Sequence, residues 1–338
     1  EPETAGDEST WMAGNYGRRL QRTLPEICGK THQVWGTEKE FEVFGDKILN
    51  SIIMSYLIKI PIDIRSDIHG YDYFSKIYAE TAGFISKNII VDFKNSEWFE
   101  ANLCSIFGSI LFSLQLRKNT IHFINLTGTL KGTLDVNQFS RNFIGDDNYL
   151  ITRNINSSTI YYNKFTINEE SDIKKYVQSE LLDKQNMPQF SDLAKKRILE
   201  SIFEIFVNAT THGETKEIFT CGQFFYKKNP AMVYFTFVDL GKTIRANVNE
   251  FLKSIKSGSE AIQWAVQPGN TTKTGKHSGG LGLKIIDQFI RLNNGKMHII
   301  SANGFWELNR NEINDYDLEY SFPGTIITLA INLDKAKT

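Results

Sequence analysis

The chain has 338 residues, enough for two domains, and its 41% hydrophobic and 23% charged residues are typical of a folded globular protein rather than a disordered or fibrous one. Its 38 Lys and Arg residues are balanced by 39 Asp and Glu residues, so the net charge is close to zero. Proteins that bind phosphate backbones usually carry a basic excess, and nucleic acid is therefore disfavoured as a partner.

The three cysteines, Cys28, Cys104 and Cys221, are far apart in the sequence, and this spacing predicts neither a zinc site nor a disulfide framework. Unpaired thiols favour a reducing compartment. The longest apolar run, at residues 48–60, is too short and too often interrupted by polar residues to span a bilayer. The sequence therefore predicts a cytoplasmic protein without a membrane partner.

Strands alternate with helices in the first half of the predicted structure. Residues 1–40 show no clear period and form an unassigned N-terminal segment. The region 41–150 is predicted as an α/β domain, because apolar periods of about 3.6 and 2 alternate along it. Its elements are a helix at 41–57, a strand at 58–64, a helix at 71–84, a strand at 88–93, a helix at 101–116 and a strand at 120–126.

The second half is predicted as a separate domain. Residues 151–190 are rich in Asn, Ser and Asp and are predicted as a connecting segment that includes a bridging helix at 173–182. The domain at 191–338 begins with a long amphipathic helix at 192–212. It continues with strands at 217–227 and 232–238, helices at 247–255 and 281–292, and strands at 296–302, 305–309 and 325–333.

The long helix carries a narrow polar stripe beside a wide apolar face. Glu204 and Asn208 are neighbours on this stripe, because residues four apart lie on the same side of a helix. A catalytic role is one interpretation, and a solvated helix face explains the stripe equally well.

Two further motifs contain glycines. Asp239 and Gly241 end an almost wholly apolar strand, where a carboxylate needs a polar partner, such as an adenine amine, although Asp-x-Gly is also a common turn. Residues 279–283 read Gly-Gly-Leu-Gly-Leu and enter a helix directly. Backbone N–H groups at such a position form an anion site, and a flexible hinge is the alternative.

The order of these motifs resembles the GHKL superfamily, which includes gyrase, the heat-shock chaperone, mismatch-repair ATPases and histidine kinases. Residues 204–213 are similar to its N box, 239–241 to its first glycine box, 279–283 to its second, and Gly324-Thr325 to its closing motif. The resemblance covers about residues 190–335. It implies an α/β sandwich, with a mixed sheet and helices on one face, that binds ATP and Mg²⁺.

The resemblance also implies roles for individual residues. Asn208 is expected to bind Mg²⁺, Asp239 to accept from the adenine amine, Thr325 to contact adenine through water, and Glu204 to act as general base. Residues 246–278 correspond to a lid, and Thr243 stands where the family usually has a second glycine. The nucleotide-binding residues implied are Asn208, His212, Asp239, Gly241, Thr243, Lys276, Gly279, Gly280, Leu281, Gly282 and Thr325.

Residues 58–145 resemble a STAS domain, the fold of anti-sigma-factor antagonists, through the strand and helix at 89–108. In the antagonists a Ser or Thr at the start of that helix accepts a phosphate. Here the matching residues are Glu100, Ala101 and Asn102, and Ser105 lies a turn further on. The segment is therefore not expected to be a phosphate acceptor, and an α/β domain of other ancestry is the alternative.

Three function classes remain open. The N box is closest to that of the anti-sigma-factor serine kinases, which favours a regulatory ATPase or protein serine/threonine kinase acting on a co-encoded protein partner. A dimeric ATP-driven switch like gyrase is the second class, and the five residues after Leu333 are too few for the transducer domain expected there. The third class is an ATP-gated binding or homodimerisation module without significant turnover, acting through its STAS-like domain.

Overall fold

The computed structural model describes residues 55–143, 158–184, 190–272 and 282–335. All of these belong to one compact unit, Met54–Thr338. Strands and helices are combined in an α+β arrangement, as the sequence predicts at this coarse level. Within the described ranges, no helix has both the length and the apolar character needed to cross a membrane.

The strands of the described residues build three sheets. In chain order the strands are β1 (Tyr56–Lys59), β2 (Asp63–Ile64), β3 (Asn88–Asp92), β4 (Trp98–Phe99), β5 (Thr120–Ile124), β6 (Thr159–Thr166), β7 (Glu217–Phe225), β8 (Met232–Asp239), β9 (Lys296–Asn309) and β10 (Glu312–Asn332). A parallel three-stranded sheet has the order β1-β3-β5, a small one pairs β2 with β4, and a five-stranded sheet has the order β6-β7-β8-β10-β9.

The helices lie between these strands. A 3₁₀ turn, Ala101–Leu103, leads into α2, and a π-helical turn, Gln178–Leu182, follows α5. In chain order the helices are α1 (Ile68–Thr81), α2 (Cys104–Leu116), α3 (Gly128–Val136), α4 (Phe139–Phe143), α5 (Glu170–Val177), α6 (Asp192–Thr211), α7 (Ile244–Leu252), α8 (Gly258–Val266) and α9 (Gly282–Asn293).

The five-stranded sheet is antiparallel throughout. Each pair of neighbouring strands, from β6–β7 to β10–β9, runs in opposite directions. The prediction of a mixed sheet is therefore wrong. The chain connects β7 to β8 and β9 to β10 through short turns, and a short turn can join only antiparallel neighbours.

Helices cover both faces of this sheet: α6, α8 and α9 of the predicted second domain pack on one face, and helices from the first half of the chain cover the other. Val233, Phe235 and Phe237 of β8 pack in one core with α5, α6 and α9. Val238 points the opposite way and packs in a second core with α1 and α2. This double burial explains why every residue of β8 is buried and why the strand reads as a continuous apolar run.

The first half of the chain forms a layer on the second face of the sheet. Its parallel strands β1, β3 and β5 are joined through α1 and α2, as the alternation of strand and helix predicts. Both helices contact the five-stranded sheet, α1 through β10 and α2 through β7 and β8. We call the described residues 55–143 the N-terminal layer.

Several predicted boundaries differ from the structure. The predicted helix at 41–57 lies mostly outside the described residues, and its last two positions belong to β1. The predicted connecting segment contains β6, which pairs with β7 as an edge strand, as well as the expected helix. Strand β9 joins the two strands predicted at 296–302 and 305–309. Strand β10 is longer than predicted, because register shifts between Asp317 and Thr325 carry it past Pro323.

Candidate functional site

A cleft opens at the end of β8, where Asp239 forms its floor. Asp239 pairs in register with Ile218 on β7 and with Thr325 on β10. Its side chain is only 6% exposed, and one carboxylate oxygen accepts a hydrogen bond of 2.9 Å from the N–H of Gly241. A carboxylate is therefore held in an apolar sheet with backbone as its hydrogen-bond partner.

The environment of Asp239 favours the protonated form of its carboxyl. Burial raises the pKa of Asp239 to about 7, while the backbone N–H groups of Gly241 and Thr325 act in the opposite direction. No Lys or Arg among the described residues forms an ion pair with it. A ligand that donates a hydrogen bond here would add a further polar partner to the backbone N–H groups.

Three glycines let the backbone close around Asp239. A Cβ on Gly241 would stand 2.0 Å from the carbonyl oxygen of Gly213, and one on Gly324 would stand 2.1 Å from the carbonyl oxygen of Asp239 itself. A Cβ on Gly213 would lie 2.6 Å from the carbonyl oxygen of Ala209. The three sequence motifs that contain these glycines therefore come together around Asp239. A side chain at any of the three positions would prevent this close approach of the backbone.

Helix α6 forms one wall of the cleft and contributes Glu204, Asn208 and His212. The carbonyl of Asn208 accepts from the N–H groups of His212 and Gly213, which ends the helix at this point. The Asn208 side chain makes no hydrogen bond to another described residue and lines the cleft half-buried. The ring Nδ1 of His212 lies 3.0 Å from the hydroxyl of Thr272.

The other walls are largely apolar. The cleft holds about 1160 Å³ of empty space, part of it continuous with solvent. Its apolar lining comes from seven helices and strands: Ile205, Ile218, Phe237, Ile244, Val248, Trp264, Leu283 and Ile327. A flat aromatic or heterocyclic ring fits such walls, with Asp239 as the polar contact at the floor.

The residues present fit a magnesium nucleotide. An amide oxygen such as that of Asn208 suits a hard cation, and Mg²⁺ commonly takes the rest of its ligands from phosphate and water. No trio of His, Cys, Asp or Glu side chains lies together in the part of the chain that the structure describes. A divalent cation in this cleft would therefore depend on nucleotide phosphates for much of its coordination.

The remaining predicted residues are placed as follows. Thr325 lines the cleft, and its hydroxyl lies 3.1 Å from that of Ser301. Thr243 instead caps α7, where its hydroxyl accepts from the N–H of Ala246 at 3.1 Å. Gly282 begins α9. Lys276, Gly279, Gly280 and Leu281 lie outside the described residues.

Two contributors were missed by the sequence analysis. Trp264 of α8 forms part of the cleft wall and packs against Phe251, but an isolated tryptophan carries no motif that would reveal this. Ser301 is fully buried and ties three segments together. Its hydroxyl donates to the carbonyl of Gly324 and accepts from the N–H of Ile244, which fixes the start of α7 beside β10.

Helices α7 and α8 lie within the predicted lid. Helix α8 begins with a capping box between Ser257 and Glu260, and Gly258 packs so closely that a Cβ would lie 2.2 Å from the N of Gly304. Ala261 and Ile262 are fully buried. This part of the predicted lid is therefore anchored to β9.

Neither the known protein-family models nor the curated proteins include one that matches this chain. The functional assignment consequently rests on the cleft and on the sequence motifs that meet in it.

Proposed function

We propose that the protein is a regulatory protein that binds Mg-ATP and either hydrolyses it or transfers its γ-phosphate to a protein partner. The observation that carries this proposal is that Glu204, Asn208, His212, Asp239 and Thr325 line one cleft. These residues come from three separate sequence motifs of the GHKL superfamily, and a helix face solvated by chance would not bring them together with a buried carboxylate.

The adenine amine is the proposed partner of Asp239. This group donates two hydrogens, and the buried carboxylate oxygen can accept one of them. Gly241 and Gly324 let the backbone pack closely around Asp239, and the base is proposed to lie against β8 and β10. Apolar walls on both sides would bury the base, and burial strengthens the hydrogen bond that selects it.

The phosphates are proposed to lie along α6. Asn208 would hold the magnesium ion, whose charge offsets that of the phosphates. Glu204 lies one helical turn before Asn208 on the same wall, and we assign it the role of general base. Its carboxylate would orient a water molecule or a partner's hydroxyl toward the γ-phosphate.

A phosphate acceptor within the N-terminal layer is disfavoured. The segment in which the STAS antagonists carry a phosphorylated hydroxyl is here packed against the five-stranded sheet, where the N–H of Ala101 donates to Gln223 at 2.6 Å. Ser105 is fully buried and donates to the carbonyl of Asn102 at 2.8 Å. The proposed acceptor is therefore another protein or water rather than this segment.

The alternative is an ATP-gated binding module without significant turnover, acting through its STAS-like layer. Incubation of the purified protein with γ-labelled ATP, alone and with co-encoded proteins, separates the possibilities. Release of labelled phosphate indicates an ATPase, and a labelled partner protein indicates a kinase. ATP binding without either product would contradict the proposed turnover and support the binding module.

A further inference from the structure

A row of buried polar side chains crosses the five-stranded sheet on the face opposite the cleft. Thr236 of β8 stands directly across from Thr328 of β10, and Thr328 from His298 of β9. Residues paired in this way point to the same side of a sheet. All three are at most 3% exposed and lie beneath the N-terminal layer.

The N-terminal layer supplies the partners of this row. The amide of Asn102 donates to the hydroxyl of Thr236 at 2.9 Å, and the hydroxyl of Tyr71 lies 3.0 Å from that of Thr328 and 2.9 Å from Nδ1 of His298. The two threonine hydroxyls are 2.9 Å apart. Together these five side chains form one continuous hydrogen-bonded chain, with no exposed member.

The hydrogen-bonded chain includes side chains of β8 and β10, the two strands that form the floor of the cleft. Thr236 precedes Asp239 by three residues on β8, and Thr328 follows Thr325 by three residues on β10. The pair Thr236–Thr328 therefore lies three steps of one ladder, about 10 Å, from the pair Asp239–Thr325. Because side chains alternate along a strand, the first pair faces the N-terminal layer and the second faces the cleft.

We propose that Asn102 and Tyr71 are positioning residues for the nucleotide cleft. Asn102 holds β8 and Tyr71 holds β10 at the same step of the ladder, and together they set the relative position of Asp239 and Thr325 on the other face. This inference rests on the proposed function, and it gives the N-terminal layer a task in it. A partner that moves this layer would change nucleotide affinity, and nucleotide would in turn change the affinity for the partner.

Packing alone does not account for this arrangement. Apolar side chains of similar shape pack equally well between a sheet and helices, and they need no hydrogen-bond partners. The interface instead keeps buried polar groups, and the oxygen of the Asn102 amide has no hydrogen-bond partner among the described residues. A chain of oriented hydrogen bonds fixes one relative position of layer and strands, which an apolar contact does not.

The test compares two pairs of variants. Tyr71→Phe and Tyr73→Phe each remove one hydroxyl from α1, but the Tyr73 hydroxyl donates to the carbonyl of Lys59 within the N-terminal layer. Thr236→Val removes the hydroxyl and keeps the shape, whereas Thr236→Ser keeps the hydroxyl and removes a methyl group. Each variant is measured at a temperature well below its own melting point, so that all of them are folded.

Two readouts are needed. The first is the Kd for a non-hydrolysable ATP analogue with Mg²⁺, and the second is hydrogen exchange at the N–H of Gly241 without nucleotide, because this N–H is bonded to Asp239. We expect Tyr71→Phe and Thr236→Val to raise the Kd about fivefold and to speed the exchange. Tyr73→Phe should leave both unchanged, and Thr236→Ser should do so even though it melts at a lower temperature.

The outcomes separate this inference from the proposed function. If Tyr71→Phe and Thr236→Val melt earlier but keep the parent's Kd and Gly241 exchange, the contacts are only structural and the inference is wrong. If the parent does not bind the analogue, the proposed function fails. The exchange comparison then still decides whether the N-terminal layer positions Asp239.

Discussion

On the cleft face of the five-stranded sheet, the hydrogen bonds that described residues make to the buried carboxylate of Asp239 come only from backbone N–H groups. On the opposite face, the buried hydroxyls of Thr236 and Thr328 are bonded to side chains of the N-terminal layer. Folded proteins normally satisfy their buried polar groups. The hydroxyls on one face are thus tied to the N-terminal layer, whereas the carboxylate on the other face has only backbone partners among the described residues, which is the difference that supports the proposed ligand site in the cleft.

Among substitutions on the cleft face, the largest effect is expected from a change of Glu204. Glu204→Ala should lower ATP turnover by roughly 10²- to 10⁴-fold, because a general base is lost. Its affinity for ATP should be undiminished, since removing a negative charge beside the phosphates relieves repulsion. Steady-state turnover and calorimetry on the same preparation measure the two effects.

Glu200→Ala is the matched control for this variant. Glu200 lies one turn earlier on α6 and forms an exposed ion pair with Arg197 at 3.2 Å. This variant should keep the parent's turnover. Equal turnover in Glu204→Ala and Glu200→Ala would remove Glu204 from the mechanism and favour a binding module.

The second effect concerns the cost of burying Asp239. Its folded-state pKa of about 7 lies above the ordinary value of 3.8, so the folded protein holds this proton more tightly than the unfolded chain. The free energy of unfolding therefore falls as the pH rises from about 4 to about 7, by up to a few kcal/mol. Asp239→Asn removes this loss and should melt at a higher temperature than the parent at pH 8.

The pH series supplies the internal control. At pH 4 the parent carboxyl is largely protonated, and the two proteins should then differ much less in melting temperature. A difference between them that stays constant from pH 4 to pH 8 would show that the carboxyl of Asp239 is not held in an unfavourable environment.

The smallest effect belongs to the opposite face, at the end of the hydrogen-bonded chain. A hydrogen bond from His298, at 3.1 Å, lowers the pKa of Glu307 to about 2. The stabilisation is present above the ordinary glutamate pKa of 4.5 and is lost as the pH falls toward 2. Because Glu307 is partly exposed, solvent screening limits the loss in Glu307→Gln at pH 7 to about 1 kcal/mol.

Denaturant unfolding at pH 7 and at pH 2.5 measures this difference. The exposed Glu312, at the hairpin between β9 and β10, provides a control, and Glu312→Gln should have no effect at either pH. If Glu307→Gln is as stable as the parent at pH 7, the His298–Glu307 contact makes no net contribution to the folded state.

The sequence predicts some elements around the cleft closely, although α8 was not predicted. Helix α6 and strands β7 and β8 lie within about two residues of their predicted bounds, because their apolar periods are long and uninterrupted. Asp239 and Asn208 could be selected in advance, since a carboxylate at the end of an apolar strand and a polar stripe on an apolar helix are visible in the sequence.

The missed features depend on tertiary contacts. Strand β6 was not predicted, because the polar residues before Thr159 indicate a connecting segment, whereas its own residues pair with β7. Gly304 falls between the strands predicted at 296–302 and 305–309, but β9 continues through it. The missing side chain at Gly304 lets the backbone of Gly258 in α8 approach the strand. The hydrogen bonds from Asn102 to β8 and from Tyr71 to β10 join residues that are more than 130 positions apart in the sequence, and no local pattern reveals such contacts.

Asp239 is proposed to receive the adenine of ATP, and calorimetry with a non-hydrolysable ATP analogue and Mg²⁺ is the decisive measurement. The parent should bind the analogue, and Asp239→Asn should bind it more weakly by roughly 1–3 kcal/mol, because its amide leaves a donor badly paired in a buried site. The higher melting temperature expected for this variant excludes unfolding as the cause. Equal affinity in the two proteins, or no binding by the parent, would contradict the claim.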